Sequence, residues 1–154
     1  MMKKQKLVRE QLETTLQRFS ILSTVNTPQR GWIRAVRDAL GMTAKQLARR
    51  MDVTQQSVTR IEKDEPTGSV TIKTMKKTAE ALDCQFVYGF VPKGSLEETV
   101  RARAKEVAVK RLTEVNQTMS LEAQSLSKEE NQNVLTEMIE ELANNPPSNL
   151  WDDA

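Results

Sequence analysis

The chain has 154 residues, a formal net charge of +2, a single cysteine and no histidine. This composition excludes catalytic triads that use histidine, and it excludes zinc sites built from histidine or several cysteines. We therefore expect no enzyme, no metal and no cofactor, and the 4% aromatic against 29% charged residues favours a mainly α-helical fold.

The charge is divided unevenly along the chain. Residues 1–92 contain 16 Lys and Arg against 9 Asp and Glu, whereas residues 93–154 contain 7 against 12. A basic first part suits a polyanion such as DNA. An acidic second part suits either a protein partner or its own solvation.

Cellular location is indicated by what the sequence lacks. No apolar run approaches the roughly 18 residues of a membrane span, and the charged start lacks the apolar core of a signal peptide. The lone Cys84 cannot form an internal disulfide, so we predict that it is a small buried residue in a cytoplasmic protein.

The first predicted elements are two helices. Residues 3–22 form an amphipathic helix within an N-terminal arm, residues 1–26, with its apolar side chains on one side. Thr27 as N-cap and Pro28 as first helical residue predict a second helix over 28–40. The side chains predicted to face inward on this second helix are Trp32, Ile33, Val36 and Leu40.

Two short capped helices follow, joined by one turn. Gly41 suits the left-handed conformation that ends a helix, and Thr43 with Gln46 forms a capping box for a helix over 44–51. Thr54 is the N-cap of the next helix, which extends to about Lys63. The inward side chains of the pair are Leu47, Ala48, Met51, Val58 and Ile61.

The second of these helices has a polar outward face. At about 100° per residue, Gln55, Gln56, Thr59 and Arg60 lie opposite Val58 and Ile61. Gln bonds adenine bidentately, Arg bonds guanine, and a Thr methyl can contact the thymine methyl, so we predict that these four residues contact bases. The alternative is an ordinary helical hairpin whose polar face is merely solvated.

Contacts to the DNA backbone are predicted beside this face. Lys45 and Arg49 lie on the outer side of the first helix of the pair, where phosphates would run. The complete predicted set is Thr43, Lys45, Arg49, Ser57 and Lys63.

A loop over 63–69 and a helix over 71–82, with Ile72, Met75, Ala79 and Leu82 facing inward, precede one predicted β-strand, residues 84–92. A lone strand cannot satisfy its own backbone groups, so we predict that it pairs with the same strand of a second copy. The resulting two-fold homodimer would reach two half-sites of a palindromic operator. The predicted dimerisation residues are Phe86, Val87, Tyr88 and Phe90.

The acidic C-terminal region, residues 93–154, begins with a capping box of Ser95 and Glu98, which opens a helix to about Thr118. A second box, Ser127 with Glu130, opens a helix to about Ala143. The tail over 144–154 is predicted to be extended. Leu150 and Trp151 are either an anchor for a protein partner or pack back on their own chain or dimer mate.

Residues 54–62, with Thr54-Gln55-Gln56-Ser57, Val58 and Ile61-Glu62, resemble the recognition helix of the lambdoid repressor and Cro family, also called the XRE family. The resemblance implies a five-helix lambda-repressor-like domain over 27–92, with the one C-terminal strand and flanking helices. It also implies base contacts by Gln55 and Gln56 and an ion pair between Arg37 and Glu62. Asp52 stands where the family usually has Gly in the turn. Arg60 stands where one well-known phage repressor of the family has Gln, so the operator sequence cannot be transferred.

A narrower resemblance, over roughly residues 28–105, is to the family called mobile mystery protein A. The matching segments are Arg30-Gly31-Trp32-Ile33-Arg34, the two capped helices, Ala79-Glu80-Ala81-Leu82-Asp83-Cys84 and Leu96-Glu97-Glu98. That family resembles antitoxins and is typically encoded beside a Fic-domain protein. The resemblance implies a repressor that binds and restrains a Fic-domain partner and autoregulates its operon. The alternatives are a regulator without a toxin partner and an interaction protein that no longer binds DNA.

Overall fold

The computed structural model describes residues 3–121 and 126–152, and the chain divides into two compact units. One unit is formed by residues 24–89, the other by residues 1–23 together with 90–154. The first two residues of the predicted arm and the last two of the predicted tail lie outside the described residues. The α-helices of the described residues are α1 Lys3–Gln17, α2 Trp32–Ala39, α3 Ala44–Met51, α4 Gln55–Asp64, α5 Ile72–Ala81, α6 Leu96–Leu121 and α7 Lys128–Asn144.

The fold is mainly helical, as the composition predicted. Single 3-10 turns occur at Ser20–Thr24 and Glu65–Thr67. Among the helices of the described ranges, none is both long enough and apolar enough to cross a membrane.

The unit of residues 24–89 contains the four helices α2 to α5, where the sequence had predicted a five-helix domain. Its core confirms the inward positions predicted for the capped pair, because Leu47, Ala48, Met51 and Val58 are each at most 3% exposed. Ala48 leaves room for the neighbouring helix at that position, which a larger side chain would fill. The buried apolar residues of this core are Ile33, Leu47, Ala48, Met51, Val58, Ala81 and Leu82.

The start of α2 was predicted wrongly. The helix begins at Trp32, after a turn in which the Gly31 N–H donates to the Pro28 carbonyl, and Gly31 has φ +87°. The carboxylate of Glu65 accepts the backbone N–H groups of Trp32 and Ile33, each at 2.9 Å. Glu65 thus caps the helix from outside its local sequence, and a Cβ at Gly31 would collide with that carboxylate.

Several residues predicted to be buried are on the surface instead. Trp32 is 44% exposed and Leu40 56%, because the buried stripe of this short helix contains Ile33 and Arg37, one turn apart. In α5, Ile72 is exposed and Thr78 is buried, its hydroxyl donating to the Thr74 carbonyl at 2.8 Å. Cys84, predicted to be buried, is exposed.

The predicted β-strand is not found among the described residues, so that part of the fold prediction is unsupported. Residues 84–92 form neither helix nor sheet, and Phe90 is 83% exposed. A β-strand needs a second strand with which to form a hydrogen-bonded ladder, and no described part of this single chain supplies one. The Phe86 and Tyr88 rings stack on each other with centroids 5.8 Å apart, as alternate residues of an extended segment can.

The other unit is built on the packing of α6 against α7. Three alanines, Ala104, Ala108 and Ala143, are fully buried there, which lets the two helices approach closely. Both predicted capping boxes are present: Ser95 with Glu98, and Ser127 with Glu130.

Helix α1 belongs to this same unit, although the sequence had assigned residues 1–26 to a separate arm. Arg9 pairs with Glu97 at 3.0 Å and donates to the Ala143 carbonyl at 2.8 Å. Glu13 accepts the Leu96 N–H at the start of α6 at 2.7 Å. Polar contacts therefore fix α1, while Leu7, Val8 and Leu12 stay exposed.

The predicted extended tail folds back on its own unit. Leu150 is fully buried with the core residues of α6 and α7, and a turn brings the chain around it. Arg103 donates to the carbonyls of Leu150 at 2.7 Å and Asp152 at 2.6 Å. Leu150 is therefore a core residue rather than a surface anchor, since an apolar side chain gains most by leaving water. Trp151 remains 55% exposed.

Candidate nucleic-acid interface

The turn between α3 and α4 is fixed by the caps that the sequence predicted. The Gln46 N–H donates to the Thr43 hydroxyl at 3.2 Å, and the Gln46 side-chain oxygen accepts the Thr43 N–H at 2.7 Å. Asp52 ends α3 in the left-handed conformation with φ 55°, which Asp tolerates better than most residues. The Thr54 hydroxyl accepts the Ser57 N–H at 3.1 Å and begins α4.

A buried ion pair holds α4 to α2. The Arg37 guanidinium donates two hydrogen bonds to the Glu62 carboxylate, and both residues are less than 10% exposed. A third donor of Arg37 reaches the Met42 carbonyl at 2.7 Å. The hydrogen bond to Glu62 raises the pKa of Arg37, against the opposing effect of burial. The ion pair implied by the family resemblance is present.

The outward face of α4 carries the four residues predicted to contact bases. Gln55, Gln56, Thr59 and Arg60 are all exposed, while Val58 and Glu62 on the opposite side are buried. The four line one shallow depression together with Lys63 and Asp64. Within the described ranges, Arg60 forms no ion pair and its guanidinium donors are free to meet a ligand.

This arrangement suits the chemistry of base edges. A single rigid helix presents two primary amides and a guanidinium side by side, and these groups can make bidentate hydrogen bonds in the DNA major groove. The face is backed by a packed core and a buried ion pair, so its backbone is already ordered before binding and the entropy lost is that of the side chains.

The residues predicted to contact the DNA backbone divide into two groups. Thr43, Lys45, Arg49 and Lys63 are exposed on α3 and α4. Ser57 is half-buried, and its hydroxyl lies 2.9 Å from the Thr54 hydroxyl, which leaves it less free. Arg50, next to Arg49, is used within the fold, because it donates to the Ala81 carbonyl at 2.6 Å.

Two residues that position this face were missed by sequence reasoning. Glu65 caps α2 across more than thirty residues, and Arg50 caps the end of α5 at a similar distance along the chain. Local patterns report neighbours within a turn or two, so neither contact had a signal in the sequence. The predicted dimerisation residues lie within segment 84–92, which is mostly exposed. The predicted partner-binding residues, Leu150 and Trp151, lie in the unit formed by residues 1–23 and 90–154.

Comparison with known proteins identifies the same region as a helix-turn-helix. A protein-family model described as Helix-turn-helix matches residues 33–88, which include α2 to α5 almost completely. These residues form an XRE-type helix-turn-helix domain, a class found in DNA-binding transcription regulators. No curated protein and no solved structure matches the chain.

Proposed function

We propose that this protein is a sequence-specific transcriptional repressor that reads DNA with α4. The observation that carries the proposal is the exposed polar face of that helix, with Gln55, Gln56 and Arg60 side by side and unpaired with other described side chains. An ordinary solvated helix face does not need the buried Arg37–Glu62 pair that fixes its orientation.

Backbone contacts come from α3 and the ends of α4. Lys45, Arg49 and Lys63 provide positive charge, and Thr43 and Ser57 lie at the helix starts, where backbone N–H groups favour phosphate. These contacts position the protein on the duplex, and the four outward residues of α4 supply sequence discrimination.

The operator is palindromic and the protein binds it as a homodimer. The exposed segment over 84–92 supports this proposal, because the backbone N–H groups of residues 85–91 form no hydrogen bond within the described chain. Pairing with the same segment of a second copy would satisfy those groups and cover Phe86, Val87, Tyr88 and Phe90. A two-fold axis there would present α4 of both copies to two half-sites.

Residues 112–154, within the unit formed by residues 1–23 and 90–154, bind a protein partner rather than DNA. From Leu112 to the end the chain has one Lys or Arg and nine Asp or Glu, a charge that repels phosphate. Trp151 is an exposed aromatic residue near the end of this acidic part, and tryptophan often carries much of the energy of an interface.

The partner that we propose is a Fic-domain protein, which this antitoxin-like protein restrains while it represses their shared operon. The support is the resemblance of Arg30–Arg34, Ala79–Cys84 and Leu96–Glu98 to the mobile mystery protein A family. Affinity capture from native cells followed by mass spectrometry tests this part. A Fic-domain protein recovered with the wild-type chain and lost with Trp151→Ala is expected; recovery of none would leave a stand-alone regulator.

DNA binding itself is tested by selection from a randomised duplex library with the purified full chain. We expect enrichment of one palindromic sequence with half-sites separated by about one helical turn, roughly 34 Å. The matched control is Gln55→Ala with Arg60→Ala, two exposed changes that leave the core intact. If the wild type enriches no sequence, or the control enriches the same one, α4 does not read bases.

A further inference from the structure

Thr59 differs from the other outward residues of α4 because its polar group is already in use. Its hydroxyl donates to the Gln55 carbonyl at 3.1 Å, one helical turn back. A hydroxyl has one hydrogen, so none is left to donate to a base edge. The side chains of Gln55, Gln56 and Arg60 form no hydrogen bond within the described ranges and keep all their donors.

The same hydrogen bond fixes the rest of the side chain. Threonine is branched at Cβ, so the direction of its hydroxyl also sets the direction of its methyl group. Bonding to the carbonyl four residues back is one of the arrangements that threonine adopts inside a helix, and it selects one side-chain rotamer. Since Thr59 is exposed, the group that it offers to a ligand is an oriented methyl.

We propose that Thr59 reads the C5 methyl group of one thymine in each half-site by apolar contact and donates no hydrogen bond to a base. Thymine is the base that carries a methyl group in the major groove. Four residues of helix rise about 6 Å, against about 3.4 Å between base pairs. The thymine therefore lies within about two base pairs of the base that Gln55 contacts. The inference rests on the proposed DNA-binding function.

The test uses the duplex selected by the wild-type protein from the randomised library. Each thymine of one half-site is replaced in turn by deoxyuridine, which lacks only the C5 methyl, and affinity is measured by electrophoretic shift at fixed salt. Three proteins are compared: the wild type, Thr59→Ser, which keeps the hydroxyl and loses the methyl, and Thr59→Val, which keeps a methyl and loses the hydroxyl. The three residues have similar helix propensities, so the fold is retained.

We expect one deoxyuridine position to weaken wild-type binding by about fourfold, the affinity equivalent of removing one methyl-sized contact. Thr59→Val should show the same sensitivity at that position. Thr59→Ser should bind unmodified DNA more weakly and be insensitive to the replacement, because the contact is already absent.

Two results would overturn the inference: Thr59→Ser keeping the full sensitivity of the wild type at every position, or Thr59→Val losing affinity while Thr59→Ser does not. Either result would leave sequence-specific binding itself standing. Failure of the selection to yield any preferred duplex is a different outcome, which removes the DNA-reading function and this contact together.

Discussion

Arg37 on α2 and Glu62 on α4 form a buried, doubly hydrogen-bonded ion pair that joins these two helices. Arg37 also donates to the Met42 carbonyl, so one guanidinium connects α2, the segment between α2 and α3, and α4. The orientation of the face that carries Gln55 and Arg60 therefore depends on residues that do not belong to it.

Removing one partner of this pair should destabilise the unit of residues 24–89. We expect Arg37→Met to lower the free energy of unfolding by about 3–5 kcal/mol, since it leaves the Glu62 carboxylate buried without a partner. In a Trp151→Phe background, Trp32 is the remaining tryptophan, and its fluorescence in a urea titration reports this unit.

The matched control for that measurement is the double variant Arg37→Met with Glu62→Leu. Apolar residues at both positions remove the uncompensated charge, so the double variant should be more stable than Arg37→Met alone. Equal stability of the single variant and the wild type would mean that the pair does not fix the helix.

Phosphate contacts should be visible as salt dependence. Lys45→Gln and Arg49→Gln should each reduce the slope of log affinity against log salt concentration by about one unit, because each removes one neutralised phosphate. Lys110→Gln, an equally exposed charge change on α6, is the control and should leave the slope unaltered. An unchanged slope for both test variants would place α3 away from the DNA backbone.

The segment over 84–92 should be required for the proposed homodimer. Val87→Pro removes one backbone donor from an exposed position, which should disrupt an intermolecular ladder without damage to either core. Sedimentation should then show a monomer and a sharp loss of operator affinity, whereas Val87→Ala, which keeps the donor, should remain a dimer. A stable Val87→Pro dimer would locate the interface in the helices.

Substitutions at the neighbouring residues Leu150 and Trp151 should have different effects, the first on the stability of the unit and the second on partner binding. Leu150→Ala should cost about 2–5 kcal/mol of stability in its unit, because it empties a fully buried site. Trp151→Ala should leave thermal stability and operator affinity nearly unchanged and weaken capture of the proposed Fic-domain partner. Undiminished capture by Trp151→Ala would exclude this tryptophan from the interface. Deleting the whole tail would not make this distinction, since it removes Leu150 as well.

The sequence predicted the features that residues within one or two helical turns determine. It missed the contacts between residues that are far apart in the sequence. The capping boxes at Thr43 and Ser127 and the stripe of Leu47, Ala48, Met51 and Val58 are set by spacing over one or two turns, and all are present. The cap of α2 comes from Glu65, so Pro28 misled the prediction of its start. From the sequence alone Leu150 was predicted to be a surface anchor, because its burial against α6 and α7 depends on residues far from it in the sequence.

The predicted strand is unsupported for a related reason. The β-branched and aromatic residues over 84–92 favour extended backbone. The segment forms neither helix nor sheet, because a ladder needs a second segment that the described chain does not supply. The candidate site was predictable in its residues, since the outward positions of α4 follow from helical period. Its fixed orientation, through Arg37 and Glu62, came only from family resemblance.

The central claim, that α4 reads bases, is tested most directly by electrophoretic shift of wild type, Gln55→Ala and Arg60→Ala on the selected duplex and on an unrelated duplex at the same salt concentration. We expect each variant to lose about 1–3 kcal/mol of binding free energy on the selected duplex and to bind the unrelated duplex as the wild type does. Equal losses on both duplexes would contradict the claim and reduce the outward face of α4 to a non-specific contact.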